Sequence, residues 1–285
     1  MSDEFRPRRS VLYMPAANER ALEKAKAIPC DAIIFDLEDA VAPDSKSDAR
    51  DNAVAAVTSG EYGTRELTIR CNALSTPWGA DDLAAAGAAA PAAVVIPKVD
   101  STAALDEVAA ALDAAGGQDT SIWAMIETPT AIFDVRAIAA HSRVSVLVLG
   151  TNDLAKELRA PLIAGRANLT SYLATAVLGA REAGKVVLDG VYNDVRDADG
   201  FAAECRQGVE MGFDGKTLVH PSQVEPANEA WSPSPDEIEL AQRIIVAYEE
   251  AEADGRGVVT VDGRMIEHLH VANARRTLAI AESLR

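Results

Sequence analysis

The carboxylates Glu127 and Asp153 are the residues of this sequence with the clearest chemical use. Glu127 ends an apolar run, Met125-Ile126-Glu127-Thr128-Pro129, and Asp153 follows the next one, Leu149-Gly150-Thr151-Asn152-Asp153-Leu154. If those runs are neighbouring strands, two hard oxygen donors share one rim with no thiolate or obvious imidazole beside them. Such a set favours Mg²⁺, which takes one or two protein carboxylates, keeps waters and leaves positions for substrate oxygens. The plainer reading of Glu127 is an interstrand ion pair with Arg70 or Lys98, and residue types alone leave the two open.

Other polar residues recur at the same kind of place. Pro15, Asp36 with Glu38 and Asp39, Arg70 with Asn72, Lys98, Asp189 and His220 all sit at or just past the end of an apolar run. Strand ends are also where polarity simply resumes. A group containing Asp36, Glu38, Glu127 and Asp153 is harder to read that way, because carboxylates gathered on one rim repel unless a cation joins them. Rival chemistries find little support: His141, His220, His268 and His270 show no HExxH spacing, and there is no GxSxG elbow. Gly215-Lys216-Thr217 looks like the end of a phosphate-binding loop, but Glu210 stands where its first glycine belongs and the segment enters a strand. No GxGxxG is present, so dinucleotide binding is unsupported.

The elements that must position these groups follow from the alternation of short β-branched runs with longer Ala/Leu/Glu stretches of helical period. Eight strands are predicted, at 11–14, 32–35, 67–70, 94–96, 122–126, 144–149, 186–188 and 216–219, with helices between them such as 18–27, 101–115, 130–140 and 170–183. That pattern predicts an α/β fold, a (β/α)8 TIM barrel, whose strand C-terminal ends converge on one face where active sites of this architecture form. Trp231-Ser232-Pro233-Ser234-Pro235 breaks the periodicity. It divides the chain into a barrel domain, 1–230, and a C-terminal helical lid extension, 231–285, with helices at 236–253 and 266–283 around a hairpin-like 258–264. The extension is too small for a strong core of its own and is expected to pack on the barrel or on a neighbouring subunit.

Composition excludes several classes of partner. The 285 residues carry 27 basic and 44 acidic side chains, a net charge of -17, which is the wrong sign for nucleic acid or anionic lipid. Any anionic substrate must then be held by a local basic cluster or a metal. Cys30, Cys71 and Cys205 are odd in number and lack CxxC spacing, which fits a reducing cytoplasm rather than a disulfide framework. The first residues, Met1 to Arg6, contain no apolar export segment, and no window is apolar enough for a membrane span.

Several segments together carry a family resemblance. They are Arg8-Arg9-Ser10-Val11-Leu12-Tyr13-Met14-Pro15, Asp36-Leu37-Glu38-Asp39-Ala40-Val41-Ala42-Pro43 with Lys46 and Ala49-Arg50, Ile96-Pro97-Lys98-Val99, Ile126-Glu127-Thr128 and Asp153-Leu154. In these the chain strongly resembles the citrate lyase beta-subunit-like family of CoA-ester lyases, which includes malyl-CoA, citramalyl-CoA and citryl-CoA lyases and malyl-CoA thioesterases. The resemblance extends to the tail, where Asp262-Gly263-Arg264-Met265-Ile266 looks like the family's lid hairpin. It implies a Mg²⁺-dependent barrel, with Mn²⁺ able to substitute, assembled as a homotrimer or homohexamer. The implied reaction is cleavage of a malyl-CoA or citramalyl-CoA type 3-hydroxyacyl-CoA into an acyl-CoA and a 2-oxo acid, reversible as a Claisen-like condensation.

By the same resemblance Glu127 and Asp153 are the metal ligands and Arg70 grips substrate oxygens. Glu38 and Asp39 orient water at the metal, Arg20 and Lys24 meet the CoA phosphates, and Asp36 and Lys98 join the substrate site. Ala16 stands where a glycine is common, and Glu267 where many members have Asp. The reaction needs a base or proton relay, for which Glu267 is the candidate; its plainer reading is a helix-start glutamate favourable to the dipole. Two alternatives stay open: hydrolysis of the malyl-CoA thioester by the same site, and a catalytically silent barrel serving as an assembly subunit or binder.

Overall fold

Short β-branched runs, each capped by a polar turn, close on one another in this chain. The structure, a computed structural model, describes residues 6–284 and divides into two compact units, Arg8–Ala230 and the segment from Trp231 onward. In the first unit the elements run β1 Ser10–Pro15, α1 Glu19–Ala25, β2 Ala32–Asp36, α2 Lys46–Thr58, β3 Glu66–Arg70, α3 Gly79–Ala89, β4 Ala93–Ile96, α4 Thr102–Ala114, β5 Ser121–Ile126, α5 Pro129–Ala140, β6 Val144–Leu149, α6 Thr151–Glu157, α7 Thr170–Glu182, β7 Val186–Asp189, α8 Ala198–Met211, β8 Gly215–Leu218 and α9 Val224–Ala230. The eight strands form a closed parallel barrel in chain order, β8 pairing back to β1. The (β/α)8 architecture expected from the alternation is therefore the observed one.

Alternation along the strands sorts their side chains into two buried sets. Val11, Ile34, Val95, Trp123, Met125, Val146 and Val148 belong to one core cluster, with Tyr13 packed against it. The residues between them, such as Leu12, Ile33, Phe35, Val94, Ala124 and Leu147, are also fully buried. A strand buried on both faces reads as a continuous apolar run, which is why periodicity alone could not assign the faces. Helix starts are fixed by side-chain caps: Thr128 accepts from Ala131 N with Pro129 in the first turn, Ser101 caps α4 and Asp197 caps α8. The Thr128 cap falls one residue after Glu127, so the end of β5 is pinned where that carboxylate emerges.

One set of strand-end charges is sealed inside the wall. Lys216 and Asp189 are both 0% exposed. Lys216 Nζ donates to Asp189 Oδ2 at 2.9 Å and to Glu204 Oε1 at 2.7 Å, while Arg166 Nη1 reaches Asp189 Oδ1 at 2.6 Å and its Nε lies 3.3 Å from Glu204 Oε2. Burial opposes the charge on Asp189, but Lys216 and Arg166 outweigh it and hold the acid below the usual carboxylate range.

The second unit contains α10 Pro235–Ala253, β9 Val259–Val261, β10 Arg264–Ile266 and α11 His268–Ser283. Ser234 and Glu237 form a capping box at the start of α10. Asp262 and Gly263 turn the hairpin with φ of 50° and 76°, the pair of left-handed residues a two-residue hairpin loop requires. Val261, Ile266 and Val271 form its small core with Leu240, Ile244 and Tyr248. Ile266 lies in β10, opposite Val259, so the last helix starts at His268 and not at the expected Ile266. Among the described residues no helix is long and apolar enough to cross a membrane.

Lys216→Met leaves Asp189 and Glu204 facing Arg166 alone in a dry site. The expected cost is about 3–5 kcal/mol of unfolding free energy, the usual penalty for breaking a buried charge set by removing one partner. Urea unfolding checks it, and an unchanged midpoint would show that the network carries no such weight.

Candidate active site

The site is assembled from strand register. Asp36 ends β2 and pairs directly with Arg70 at the end of β3, so carboxylate and guanidinium meet side by side. Arg70 Nε donates to Asp36 Oδ1 and its Nη2 to Oδ2, both at 2.7 Å. The same two oxygens accept the N–H groups of Glu38 at 2.9 Å and Ala40 at 3.1 Å. That arrangement folds the loop after β2 back over the arginine, whose Nη1 lies 2.9 Å from Glu38 Oε2 and 3.4 Å from Asp39 Oδ2. The Tyr13 ring backs the guanidinium at 4.9 Å. Burial first, and then Asp36, Glu127 and Glu38, raise the Tyr13 phenol well above its ordinary range and keep it neutral, against the opposing effect of Arg70.

Glu127 follows β5, and Asp153 comes after its neighbour β6. Ile126 pairs with Leu149, which sets Glu127 beside Gly150. A Cβ at position 150 would fall 2.3 Å from Glu127 Oε2 and 2.4 Å from Glu127 Cβ, so only glycine leaves room for this carboxylate. Asp153 stands in the first turn of α6. Lys98 joins the two halves of the rim: in a left-handed backbone conformation, φ 49°, it donates its N–H to Glu127 Oε1 at 2.7 Å. Its ammonium lies 3.6 Å from Glu38 Oε1 and 3.9 Å from Asp153 Oδ1. Asp36, Arg70, Glu127 and Asp153 line a cavity of about 340 Å³ with Tyr13 and Asn193. Glu38 and Lys98 do not line it but are tied to residues that do.

Five carboxylates, Asp36, Glu38, Asp39, Glu127 and Asp153, thus face two cations, Arg70 and Lys98. Glu127, 2% exposed, feels the imbalance most. Burial pushes its carboxyl up to about 7, with Glu38 and Asp153 adding to the rise and Lys98 opposing it. Burial likewise raises Glu38 above the ordinary range, with Arg70 working against it. Among the described residues no group of three His, Cys, Asp or Glu side chains forms a metal cage. Two carboxylates beside an open cavity, short of positive charge, are instead the donor set that fits Mg²⁺ with its remaining positions left to water and substrate.

Two expected binders lie elsewhere. Arg20 and Lys24 are exposed on α1 and do not line the cavity. Glu267, the residue before α11, belongs to the other unit; its N–H bonds His270 Nδ1 at 3.2 Å. Residue types did not single out Tyr13, Gly150 or the reciprocal amide pair Asn152 and Asn193, which bond at 2.8 and 3.1 Å. The signal for Tyr13 was its spacing of two from Val11 and Pro15, which places all three on one strand face.

Comparison with known proteins places this geometry among relatives. The family model described as HpcH/HpaI aldolase/citrate lyase matches residues 9–221. A (3S)-malyl-CoA thioesterase of Cereibacter sphaeroides (strain ATCC 17025 / ATH 2.4.3) is 48% identical over 284 residues, covering 100% of this chain and 98% of that protein. The citrate lyase subunit beta of Escherichia coli (strain K12) is 32% identical, covering 97% and 94%. The crystal structure of CitE from Mycobacterium tuberculosis in complex with magnesium, acetoacetate and coenzyme A superposes with a TM-score of 0.80 at 28% identity, covering 97% of this chain and 98% of that one.

In the metal-free protein the raised Glu127 acid makes stability depend on pH. Between 4.5 and about 7 the folded chain holds a proton that the unfolded chain has released, so stability falls as pH rises through that window and stays lower above it. A displacement of that size is on the order of 3 kcal/mol. Glu127→Gln is expected to raise the metal-free Tm at pH 8 by roughly 5–10 °C, with the gain vanishing near pH 4.5, as differential scanning calorimetry reads it. A variant no more stable at pH 8 would remove the case for a charge that wants a cation.

Proposed function

The chain belongs to the HpcH/HpaI aldolase/citrate lyase family, and on that premise we propose that it is a Mg²⁺-dependent hydrolase of a malyl-type 3-hydroxyacyl-CoA thioester. The observation that carries this reading is the 48% identity, over the whole length, to a (3S)-malyl-CoA thioesterase. It reverses the order of the sequence expectation, in which carbon–carbon cleavage led and hydrolysis was the alternative.

The residues on the rim suit that chemistry. Glu127 and Asp153 would hold the cation, which when bound would supply Lewis-acid polarisation of a substrate oxygen. Arg70, held by Asp36 along one edge and by Glu38 and Asp39 at Nη1, offers its charge and its one further Nη2 N–H to the oxyanion that develops when water adds to the thioester carbonyl. Asp36 therefore acts through Arg70. Glu38, half-buried behind the cavity wall and with its carboxyl raised, is the proposed base for the attacking water, reached through Asp39, which lines the cavity beside it. The oxygen–carbon bond forms, the carbon–sulfur bond breaks, and the CoA sulfur departs to be protonated. Lys98 keeps the base and Asp153 from repelling one another. Arg20 and Lys24 are the proposed partners of the CoA phosphates, and Glu267 is the proposed proton relay.

A second reading keeps the site and changes the bond. The citrate lyase beta subunits at 32% identity and the CitE complex with acetoacetate and coenzyme A favour cleavage between carbons. There the base removes the hydroxyl proton, that oxygen becomes the carbonyl of the departing 2-oxo acid as the carbon–carbon bond breaks, and the electron pair passes to the thioester as an enolate that the charge of Arg70 would stabilise.

Product analysis of malyl-CoA incubated with the Mg²⁺-loaded protein separates the two. Hydrolysis gives free CoA and malate in equal amounts, whereas cleavage gives acetyl-CoA and glyoxylate. EDTA is expected to abolish turnover and Mg²⁺ to restore it, and Asp153→Asn to lower kcat/KM by at least about 100-fold, several kcal/mol of barrier. Full activity in EDTA would sink the metal assignment, and an absence of any turnover across a panel of hydroxyacyl-CoA esters would leave a binding protein.

A further inference from the structure

Beneath the loop that carries Glu38 and Asp39 lies a second polar group that does not open on the cavity. Lys46, the first residue of α2, is 5% exposed. Its ammonium donates to the carbonyl of Leu37 at 2.7 Å, to the carbonyl of Glu38 at 2.7 Å and to Asn72 Oδ1 at 2.8 Å. Those three bonds use all three of its protons. Asn72 passes the tie onward, donating through Nδ2 to Leu37 O at 2.9 Å and to Asp82 Oδ2 at 2.6 Å, while Arg50 Nε holds the other Asp82 oxygen at 2.7 Å. The Trp78 ring covers the ammonium at 5.1 Å.

Burying an ammonium is costly, and the usual compensation is a carboxylate in contact. Lys46 instead spends two of its three bonds on consecutive peptide carbonyls and reaches Asp82 only through Asn72. Such a cation fixes peptide planes more than it neutralises an acid. From the opposite side Asp36 binds the N–H groups of Glu38 and Ala40. The segment Leu37 to Ala40 is thus clamped twice, by a carboxylate on its amides and by an ammonium on its carbonyls, and the Glu38 side chain projects from between the clamps toward Arg70 and Lys98.

We propose that Lys46 is a positioning residue for Glu38: its hydrogen bonds to the 37 and 38 carbonyls hold the Glu38 carboxylate within reach of Arg70. The structural half of this inference stands on the geometry alone; its kinetic half rests on the role given to Glu38 above. Lys46→Met keeps the apolar stem under Trp78 and removes all three donors. Hydrogen exchange read by mass spectrometry is expected to quicken at least about tenfold in peptides containing the Glu38 and Ala40 amides, with β5 and β6 unchanged. In turnover, kcat is expected to fall roughly 10- to 100-fold while KM stays within about twofold, the pattern of a misplaced group and not of lost binding. If Lys46 acts through Glu38, adding Lys46→Met to Glu38→Gln costs no more than about a further twofold. Lys46→Gln, which keeps two donors, is expected to lie between the parent and Lys46→Met, and serves in its place if the methionine variant does not fold. Unchanged exchange at 38 and 40 overturns the proposal, as does a kcat loss that adds in full on the Glu38→Gln background, or a lowered Tm with normal kcat in the folded protein. Should no ester be turned over at all, the functional reading fails while the exchange measurement still decides the clamp.

Discussion

Repulsion among carboxylates is the constraint around which the mouth of this barrel is built. Five acids and two cations share the rim, and without help the folded chain would relieve the excess by protonating one acid or swinging another into water. Glu127 shows the first response, with burial and its neighbours keeping its proton on up to about 7. The second is blocked by geometry for the two buried acids, Asp36 and Glu127. Asp36 is locked by Arg70 and by two loop amides, Glu127 is held by the Lys98 N–H, and Gly150 leaves the space that the Glu127 side chain fills. A divalent cation satisfies what two side-chain cations leave over.

That same electrostatic arrangement explains why hydrolysis and carbon–carbon cleavage are near neighbours. Both place negative charge on the thioester oxygen, and both need a base a few ångströms from a cation and a guanidinium. In the proposed roles, Arg70 and the carboxylates Glu127 and Asp153 serve both reactions alike. What differs is the proton the base takes: from water for hydrolysis, from the substrate hydroxyl for cleavage. On the proposed roles the outcome turns on whether water is admitted and on the placement of the base, which the loop after β2 carries.

Much of this was legible in the sequence, for reasons that can be named. The eight strands are short β-branched runs between helical stretches, and each structural strand overlaps its expected range to within a residue or so. Glu127 and Asp153 were visible because each directly follows an apolar run, and strand ends in a barrel converge. What stayed hidden depends on register and packing. Arg70 reads as a free grip for substrate, yet three carboxylates surround it, a fact that rests on the pairing of Asp36 with Arg70 across strands 34 residues apart. Lys46 enters the sequence reading only with the motif after β2, where nothing signals that the loop buries it. Ile266 reads as helix because its strand partner, Val259, is brought opposite only by the Asp262-Gly263 turn.

The two ion networks at the strand ends separate structural charge from functional charge. Around Lys216, two cations meet two acids, Asp189 and Glu204, and every group in that set is 9% exposed or less. Its charges close on themselves, so the network has nothing to offer a ligand and serves to tie β7, β8 and α8 together. Around Arg70 the same residue types fail to close: the acids outnumber the cations, and a cavity of about 340 Å³ stands beside them. An open, unbalanced set costs stability that a closed one does not, and it persists only where surrounding structure over-determines it. The bidentate Asp36 pair, the glycine opposite Glu127 and the ammonium of Lys46 beneath the loop are that surrounding structure. Charge closure thus distinguishes the two networks where residue type and position at a strand end do not.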